Sequence, residues 1–298
     1  MNVFITGGTG FIGSHLVRAL TGRGDSVVIA TRSPERHENK EGVRYVPFDE
    51  GLREHLAGCD VVVNMAGESL FGKRWTEKVK KRLWDSRIQT TRKLVDAMRA
   101  MDRRPALLLS ASGVNYYGDC GTDKITESRG PGNDFLAELT REWEHAAAEA
   151  GELGVRVSTP RISVALGGDG GALATMLPVF RAFLGGSIGP GSQYFPWIHV
   201  EDLCRSFLFV MDNESISGPW NAAAPNPVTM KEFTRELGNA LSRPSLFRVP
   251  EFALNMALGE AAVLVTTSLR VIPEKILENG FEFHFPHVGD ALADILSS

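Results

Sequence analysis

Cysteine is scarce: Cys59, Cys120 and Cys204 are the only three in 298 residues. They are isolated, odd in number and without metal-ligand spacing, which excludes a disulfide framework and a cysteine-built metal site. They read as thiols of a reducing compartment. Charge of one sign is also scarce, since 32 basic against 36 acidic residues leave a net −4 with no basic run. That excludes the electrostatic footprint of a nucleic-acid or anionic-membrane binder. No targeting or spanning segment is visible. The chain runs straight into what reads as a core strand, and the most apolar late stretch, 252–269, is interrupted by Asn255 and Glu260. A membrane span needs about 20 unbroken apolar residues, so this stretch reads as a helical packing element. The expectation is a cytoplasmic protein with no membrane and no nucleic-acid partner. With 31 Gly and 15 Pro there is no low-complexity tract, and 43% hydrophobic residues exclude a disordered chain.

What is present is alternation. Residues 3–5, 26–30, 45–47 and 61–64 are β-branched or apolar runs, too continuously apolar for a sheet with one wet face. Such runs suit parallel strands covered by helices on both sides. Between the first two, Phe11, Ile12, Leu16, Val17 and Leu20 recur at helical spacing. The repeated strand–helix–strand pattern predicts an α/β fold built on a Rossmann-like, doubly wound parallel sheet.

The turn after the first strand reads Thr6-Gly7-Gly8-Thr9-Gly10-Phe11-Ile12-Gly13. Gly8, Gly10 and Gly13 satisfy the G-x-G-x-x-G spacing, placed between a strand and a helix as the dinucleotide fingerprint requires. Its glycines serve a tight turn, close approach of backbone N–H groups to a pyrophosphate, and close helix–strand packing. At the second strand end an NAD site would carry a carboxylate for the ribose 2′-hydroxyl. Thr31-Arg32-Ser33 stands there instead. Arg32 can pair with a 2′-phosphate and Ser33 can add a hydroxyl donor, which points to NADP (NADPH); the other reading is a solvated surface arginine. Asn64-Met65-Ala66-Gly67 ends the fourth strand, and its small residues suit an adenosine or ribose.

With the glycine turn, Asn64–Gly67, Ser110-Ala111-Ser112, Tyr117-Gly118, the 161–167 stretch and Trp197-Ile198-His199-Val200-Glu201-Asp202, the chain resembles the extended short-chain dehydrogenase/reductase superfamily over essentially its whole length. Arg74-Trp75, Ser86-Arg87, Pro196-Trp197-Ile198-His199 and Ala224-Pro225-Asn226-Pro227 are similar to its branch of nominal sugar-nucleotide epimerases. The resemblance implies a cofactor domain over 1–165. A smaller C-terminal α/β substrate lobe over 166–298 would then be interleaved with strands returning to the sheet. It also implies a small-molecule substrate and a homodimer formed through a helix pair.

It further implies a serine, and a tyrosine four residues ahead of a lysine, around the substrate carbonyl. Lysine lowers the phenol pKa and holds the nicotinamide ribose, while tyrosine passes the proton. Ser112 matches the serine. Phe135 and Leu139 fall at the other two positions, and neither transfers a proton. Only four tyrosines exist, and no Tyr-x-x-x-Lys occurs anywhere. Tyr116 and Tyr117 lie on the loop after the fifth strand. They are either a relocated proton donor, with Lys73 or Arg74 as charge partner, or packing residues.

Arg161 is grouped with the cofactor-facing residues, and Glu68, Arg87 and Trp197 with the substrate side. Internal ion pairs account equally well for Arg161 and Arg87, and interface packing for Trp197. Asp202 is expected to cap a helix starting near Leu203, His199 to be architectural and Cys120 a bystander. A helix is expected over 172–184, and Thr229 with Glu232 forms a capping-box signature. Two functions stay open: an NADP-dependent oxidoreductase or epimerase acting on a carbonyl or alcohol, and a non-catalytic NADP-binding sensor or regulatory module.

Overall fold

The four apolar runs become the first four of seven parallel strands in the computed structural model, which describes residues 1–245 and 247–297. They are β1 (Asn2–Thr6), β2 (Ser26–Thr31), β3 (Val43–Pro47), β4 (Val61–Asn64), β5 (Leu107–Ser110), β6 (Arg156–Ile162) and β7 (Gly218–Ala222). The spatial order is 3-2-1-4-5-6-7. Strand order reverses beside β1, which pairs with β2 on one side and β4 on the other. That is the switch point at which open α/β sheets bind ligands.

Side-chain alternation sends successive residues to opposite faces, and both faces are dry. Val3, Ile5, Val61, Val63, Leu107 and Leu109 pack with Leu16 and Leu20 of α1 (Phe11–Gly22), and with Phe207 and Val210 further along the chain. Phe4, Val62 and Leu108 pack on the other side, against Leu94, Val95 and Met98 of α2 (Glu77–Arg99) and Ala147 of α3 (Phe135–Ala148). Each fully buried Leu, Val or Phe contributes about 1.5–3 kcal/mol against exposure. This two-sided burial is what the continuous apolar runs encode.

The later chain adds α4 (Gly171–Arg181), α5 (Val200–Asp212), α6 (Met230–Leu241) and α7 (Val288–Ser297). Leu173, Leu177, Phe180, Phe233, Leu237 and Leu292 form a separate core there. Within the 166–298 stretch, β7 lies in the main sheet beside β6, and Leu246 and Ser298 lie outside the described residues. Among the described residues no helix is long and apolar enough to cross a membrane.

Two local expectations need correcting. Helix α4 stops at Arg181 rather than Leu184, because Phe183 turns left-handed (φ 62°) and the Leu184 N–H reaches back to the Val179 carbonyl at 3.1 Å. Helix α5 begins at Val200 with His199 as its cap, Nδ1 accepting from the Glu201 N–H at 3.1 Å. Asp202 sits in the first turn instead. Fully buried, it accepts from Arg205 and from the backbone N–H groups of His284 and Phe285. The Thr229–Glu232 capping box forms in full at the start of α6.

Candidate cofactor and active site

Strand β1 hands the chain to α1 through a turn that tolerates no side chain at two positions. Gly7 holds φ +75°, and a Cβ there would meet the Met65 carbonyl oxygen at 2.7 Å. A Cβ on Gly13 would fall 2.1 Å from the Gly7 carbonyl oxygen, so the helix can lie against the turn only with glycine there. At its start α1 has no side-chain cap and no acidic residue in its first turn. The unsatisfied first-turn N–H groups and the positive dipole end therefore face outward, ready for an anion.

This turn forms one end of a cavity of about 430 Å³ that also takes in Met65, Gly67, Ala111 and Ser112. The far wall is apolar: Tyr194, Phe195, Met230, Leu264 and Leu269. The stretch read as a packing element, 252–269, thus supplies part of that wall. Gly7, Gly10, Phe11, Ile12, Gly13, Met65, Gly67, Arg87 and Ser112, all singled out from sequence, meet at this one cavity.

Others from the same set lie elsewhere. Thr6 and Asn64 are buried beneath the strand ends, where Thr6 Oγ1 donates to Asn64 Oδ1 at 2.8 Å and accepts from the Ala66 N–H at 3.2 Å. Asn64 Nδ2 donates to Thr91 and Ser110, so this amide ties β1, β4, β5 and α2 together. Gly8 is buried, with Ile29 2.9 Å from where its Cβ would be, and Thr9 is exposed. Thr31 and Ser33 are half-buried at the end of β2. Between them Arg32 is exposed and makes no hydrogen bond or ion pair among the described residues. The Glu68 carboxylate is engaged by Lys73 at 2.7 Å and by Arg82 at 3.5 Å. The Lys73 hydrogen bond holds its pKa below the usual carboxylate value, with further help from the charges of Arg82, Lys73 and Arg32.

Ser112 opens onto the cavity and also roots in the interior. It starts a short extension of β5 in which Ser112–Gly113 pairs in parallel with Arg161 and Ile162 of β6. Its Oγ donates to Glu144 Oε1 at 2.7 Å. Arg161 grips the same carboxylate through Nε at 2.8 Å and Nη2 at 2.9 Å, a two-pronged pair inside the fold. Burial works against the Arg161 charge, yet Glu144 outweighs it and holds the guanidinium above its ordinary pKa. Arg161 Nη1 donates to the Tyr117 hydroxyl at 2.9 Å, which in turn donates to Asn221 Oδ1 at 2.7 Å.

This network corrects three sequence assignments. Arg161 is 3% exposed and committed to Glu144, away from the cavity wall. Tyr117 is equally buried, and that burial pushes its phenol up to about 12 despite the neighbouring Arg161. Its proton is held by Asn221. The Tyr116 ring lies under the Arg161 guanidinium at 3.5 Å and is a packing partner. Trp197 is 1% exposed in the core of the later lobe, so it does not reach a substrate.

Leu136, Leu139, Thr140 and Trp143 of α3 line the cavity. Of the two positions expected to face it, Leu139 does. Phe135 instead packs edge-on against Trp75 at 5.7 Å. Sequence reading missed Glu144. The signal was available on α3, where Leu136, Thr140 and Glu144 recur every four residues and so share a face. Cys120 is buried and its thiol is pushed up by that burial, in keeping with an inert role.

A glycine-floored crevice at the switch point of a doubly wound parallel sheet defines a dinucleotide-binding α/β protein. The chain belongs to the NAD dependent epimerase/dehydratase family, whose model matches residues 3–223. A domain of unknown function, DUF1731, matches residues 249–295. The chloroplastic epimerase family protein SDR39U1 homolog of Arabidopsis thaliana is 42% identical over 99% of this chain and 87% of its own length. Epimerase family protein YfhF of Bacillus subtilis is 37% identical over 100% of this chain and 98% of its own. The crystal structure of human epimerase family protein SDR39U1 (isoform 2) with NADPH superimposes with a TM-score of 0.91 at 34% identity, covering 100% of this chain and 99% of that one.

Proposed function

We propose that the protein is an NADP(H)-dependent oxidoreductase or epimerase that interconverts an alcohol and a carbonyl on a small substrate. The observation that carries this reading is the shared cavity: the glycine turn and Ser112 open onto the same space. The residues fit the cofactor. The turn leaves no room for side chains where a pyrophosphate would approach, and the α1 start is uncapped. Arg32, with Thr31 and Ser33 beside it, offers a guanidinium that no described residue claims, suited to a 2′-phosphate. The human relative's structure with NADPH supports the phosphorylated form of the cofactor.

When bound, the nicotinamide supplies or accepts the hydride. Ser112 Oγ, already donating its own proton to Glu144 Oε1, is left with lone pairs to accept the hydroxyl proton of an alcohol substrate. As that proton arrives, the serine's own passes to Glu144 and the substrate C=O forms. Reduction runs the same transfers backwards. Arg161 fixes Glu144 in place from behind and keeps a positive charge beside it. The apolar far wall, with Phe195, Met230 and Leu264, excludes water from the reacting carbon and favours a substrate with an apolar body. The division at residue 165 and the homodimer belong to the same reading and rest on the superfamily resemblance. A cofactor-binding module without chemistry is not favoured, given the family and a serine open to the cavity.

Ser112→Ala is expected to lower the rate of hydride transfer by about 10²–10⁴-fold, the range for one acid–base group. NADPH affinity should stay within a factor of about two, since the serine serves the substrate. The measurement is NADPH absorbance at 340 nm across a panel of aldehydes, ketones and sugar nucleotides. A wild-type protein that oxidises no NADPH and reduces no NADP with any of them would overturn the reading.

A further inference from the structure

The end of the cavity away from the glycine turn is built without charge. Among the described residues that line the cavity, Arg87 is the one charged group. It lies at the sheet edge, where a Cβ on Gly67 would stand 3.0 Å from its Cζ. The far wall, from Tyr194 to Leu269, carries no ionisable side chain but the Tyr194 phenol. Arg270 packs over the Tyr194 ring at 4.9 Å and is not part of the lining. Leu70 and Phe71 continue the apolar surface, and Phe71 is 46% exposed, so an apolar ring stands where the cavity meets solvent.

The polar side chains of the lining have mostly spent their protons. Ser69, Thr140, Ser163 and Thr267 donate to the backbone carbonyls of Phe71, Leu136, Ala222 and Val263. Gln193, 5% exposed, gives its Nε2 protons to the carbonyls of Ile188 at 2.8 Å and Val265 at 3.1 Å. Its Oε1 is buried with no partner among the described residues. What these groups offer a ligand is therefore lone pairs, which suit a hydroxyl or N–H and repel an anion.

Helix starts do not supply the missing positive charge. Met230 opens α6 on the far wall, but Thr229 and the Glu232 carboxylate already take the N–H groups there. Helix α4 starts uncapped, yet a Cβ on Gly170 would stand 2.5 Å from the Phe11 ring. That start thus belongs to the glycine-turn end. A phosphate or carboxylate brought to the far wall would lose its water and gain no cation, which is costly.

Resting on the oxidoreductase or epimerase reading above, we propose that the substrate is a neutral ketone or alcohol with an apolar body, and not a sugar nucleotide. The apolar body lies on the far wall, and Gln193 Oε1 accepts from a substrate hydroxyl or N–H. In the reducing direction the carbonyl carbon takes the hydride of NADPH and its oxygen takes a proton through Ser112. Ketone, NADPH and one proton thereby become alcohol and NADP.

The test is the rate of NADPH oxidation by the full-length protein with unbranched methyl ketones from butanone to heptanone. The value of kcat/KM is expected to rise about 4-fold with each added CH2, the transfer free energy of one methylene. The keto acid in which the last methyl of heptanone is a carboxylate should react about 100-fold more slowly or worse, because its charge is buried unpaired. Its neutral methyl ester should recover most of that loss, which separates charge from size. UDP-glucose and UDP-glucuronic acid should not compete with heptanone at saturating NADPH. Leu264→Lys, which puts a cation on the far wall, should narrow the gap between keto acid and heptanone by about 10-fold. Because that readout is a ratio within one variant, partial loss of folded protein leaves it intact. A flat ketone series, a keto acid as good as heptanone, competition by either sugar nucleotide, or a ratio unmoved by Leu264→Lys would overturn the proposal. Wild-type protein that turns over no carbonyl or alcohol of any kind, charged or neutral, would instead overturn the reading beneath it.

Discussion

Replacing Arg161 with alanine is expected to destabilise the protein by about 3–5 kcal/mol, the cost of leaving one buried charge without its partner. The stranded group is Glu144, only 14% exposed at its side chain and, among the described residues, otherwise bonded only to Ser112. Tyr117 would lose a donor at the same time. Urea unfolding should show a lower midpoint with an unchanged slope, because the surface exposed on unfolding stays the same. Tyr117→Phe, which removes one hydroxyl from the chain of hydrogen bonds, should cost only about 1 kcal/mol. The double replacement Arg161→Leu with Glu144→Leu should recover much of the single-variant loss, since an apolar pair strands no charge. A single-variant loss under 1 kcal/mol would mean that Glu144 finds water or another donor, and the buried-network account would fall.

Gly13→Ala is expected to disable the cofactor cradle itself. The added Cβ would stand 2.1 Å from the Gly7 carbonyl oxygen, where the contact is backbone and no side chain can swing away. Either α1 lifts from β1 or the turn opens. Overpacking of this kind costs about 1–3 kcal/mol. Expressed wholly in affinity, that is a loss of roughly 5- to 150-fold for NADPH. Gly22→Ala at the far end of the same helix makes the control, because its Cβ meets nothing within 4 Å. Gly22→Ala should leave affinity unchanged. Equal NADPH affinity in Gly13→Ala and wild type, by calorimetry, would show that the turn does not carry the pyrophosphate.

Much of the cradle was legible because its determinants are local. Strand β1, the glycine turn and α1 occupy residues 2–22, and each glycine's constraint comes from the same turn or a neighbouring strand end. Burial on both faces is also written locally, in runs that never alternate with polar residues. The side around Ser112 was less legible because its partners are distant in sequence. Ser112 meets Glu144 across 32 positions, and Tyr117 meets Asn221 across 104. No spacing rule links those residues, so Tyr117 looked available when its hydroxyl is spoken for. Helix α5 shows a subtler limit. An aspartate near a helix start is a good cap by type, yet Asp202 is drawn inward by the 284–285 backbone and the histidine before it caps instead.

In the proposed mechanism, proton handling falls to Ser112 and Glu144 in place of the tyrosine missing from α3. That proposal depends on a phosphorylated dinucleotide lying along the strand ends with its 2′-phosphate at Arg32. The direct measurement is thermal unfolding of wild type and Arg32→Ala with NADPH, NADP, NADH and NAD, each at the same concentration. At 100 times its Kd a ligand stabilises by about 2.7 kcal/mol. The account predicts that NADPH and NADP raise the wild-type midpoint well above NADH and NAD, and that Arg32→Ala brings the four together. Equal stabilisation of the wild type by NADH and NADPH would contradict it.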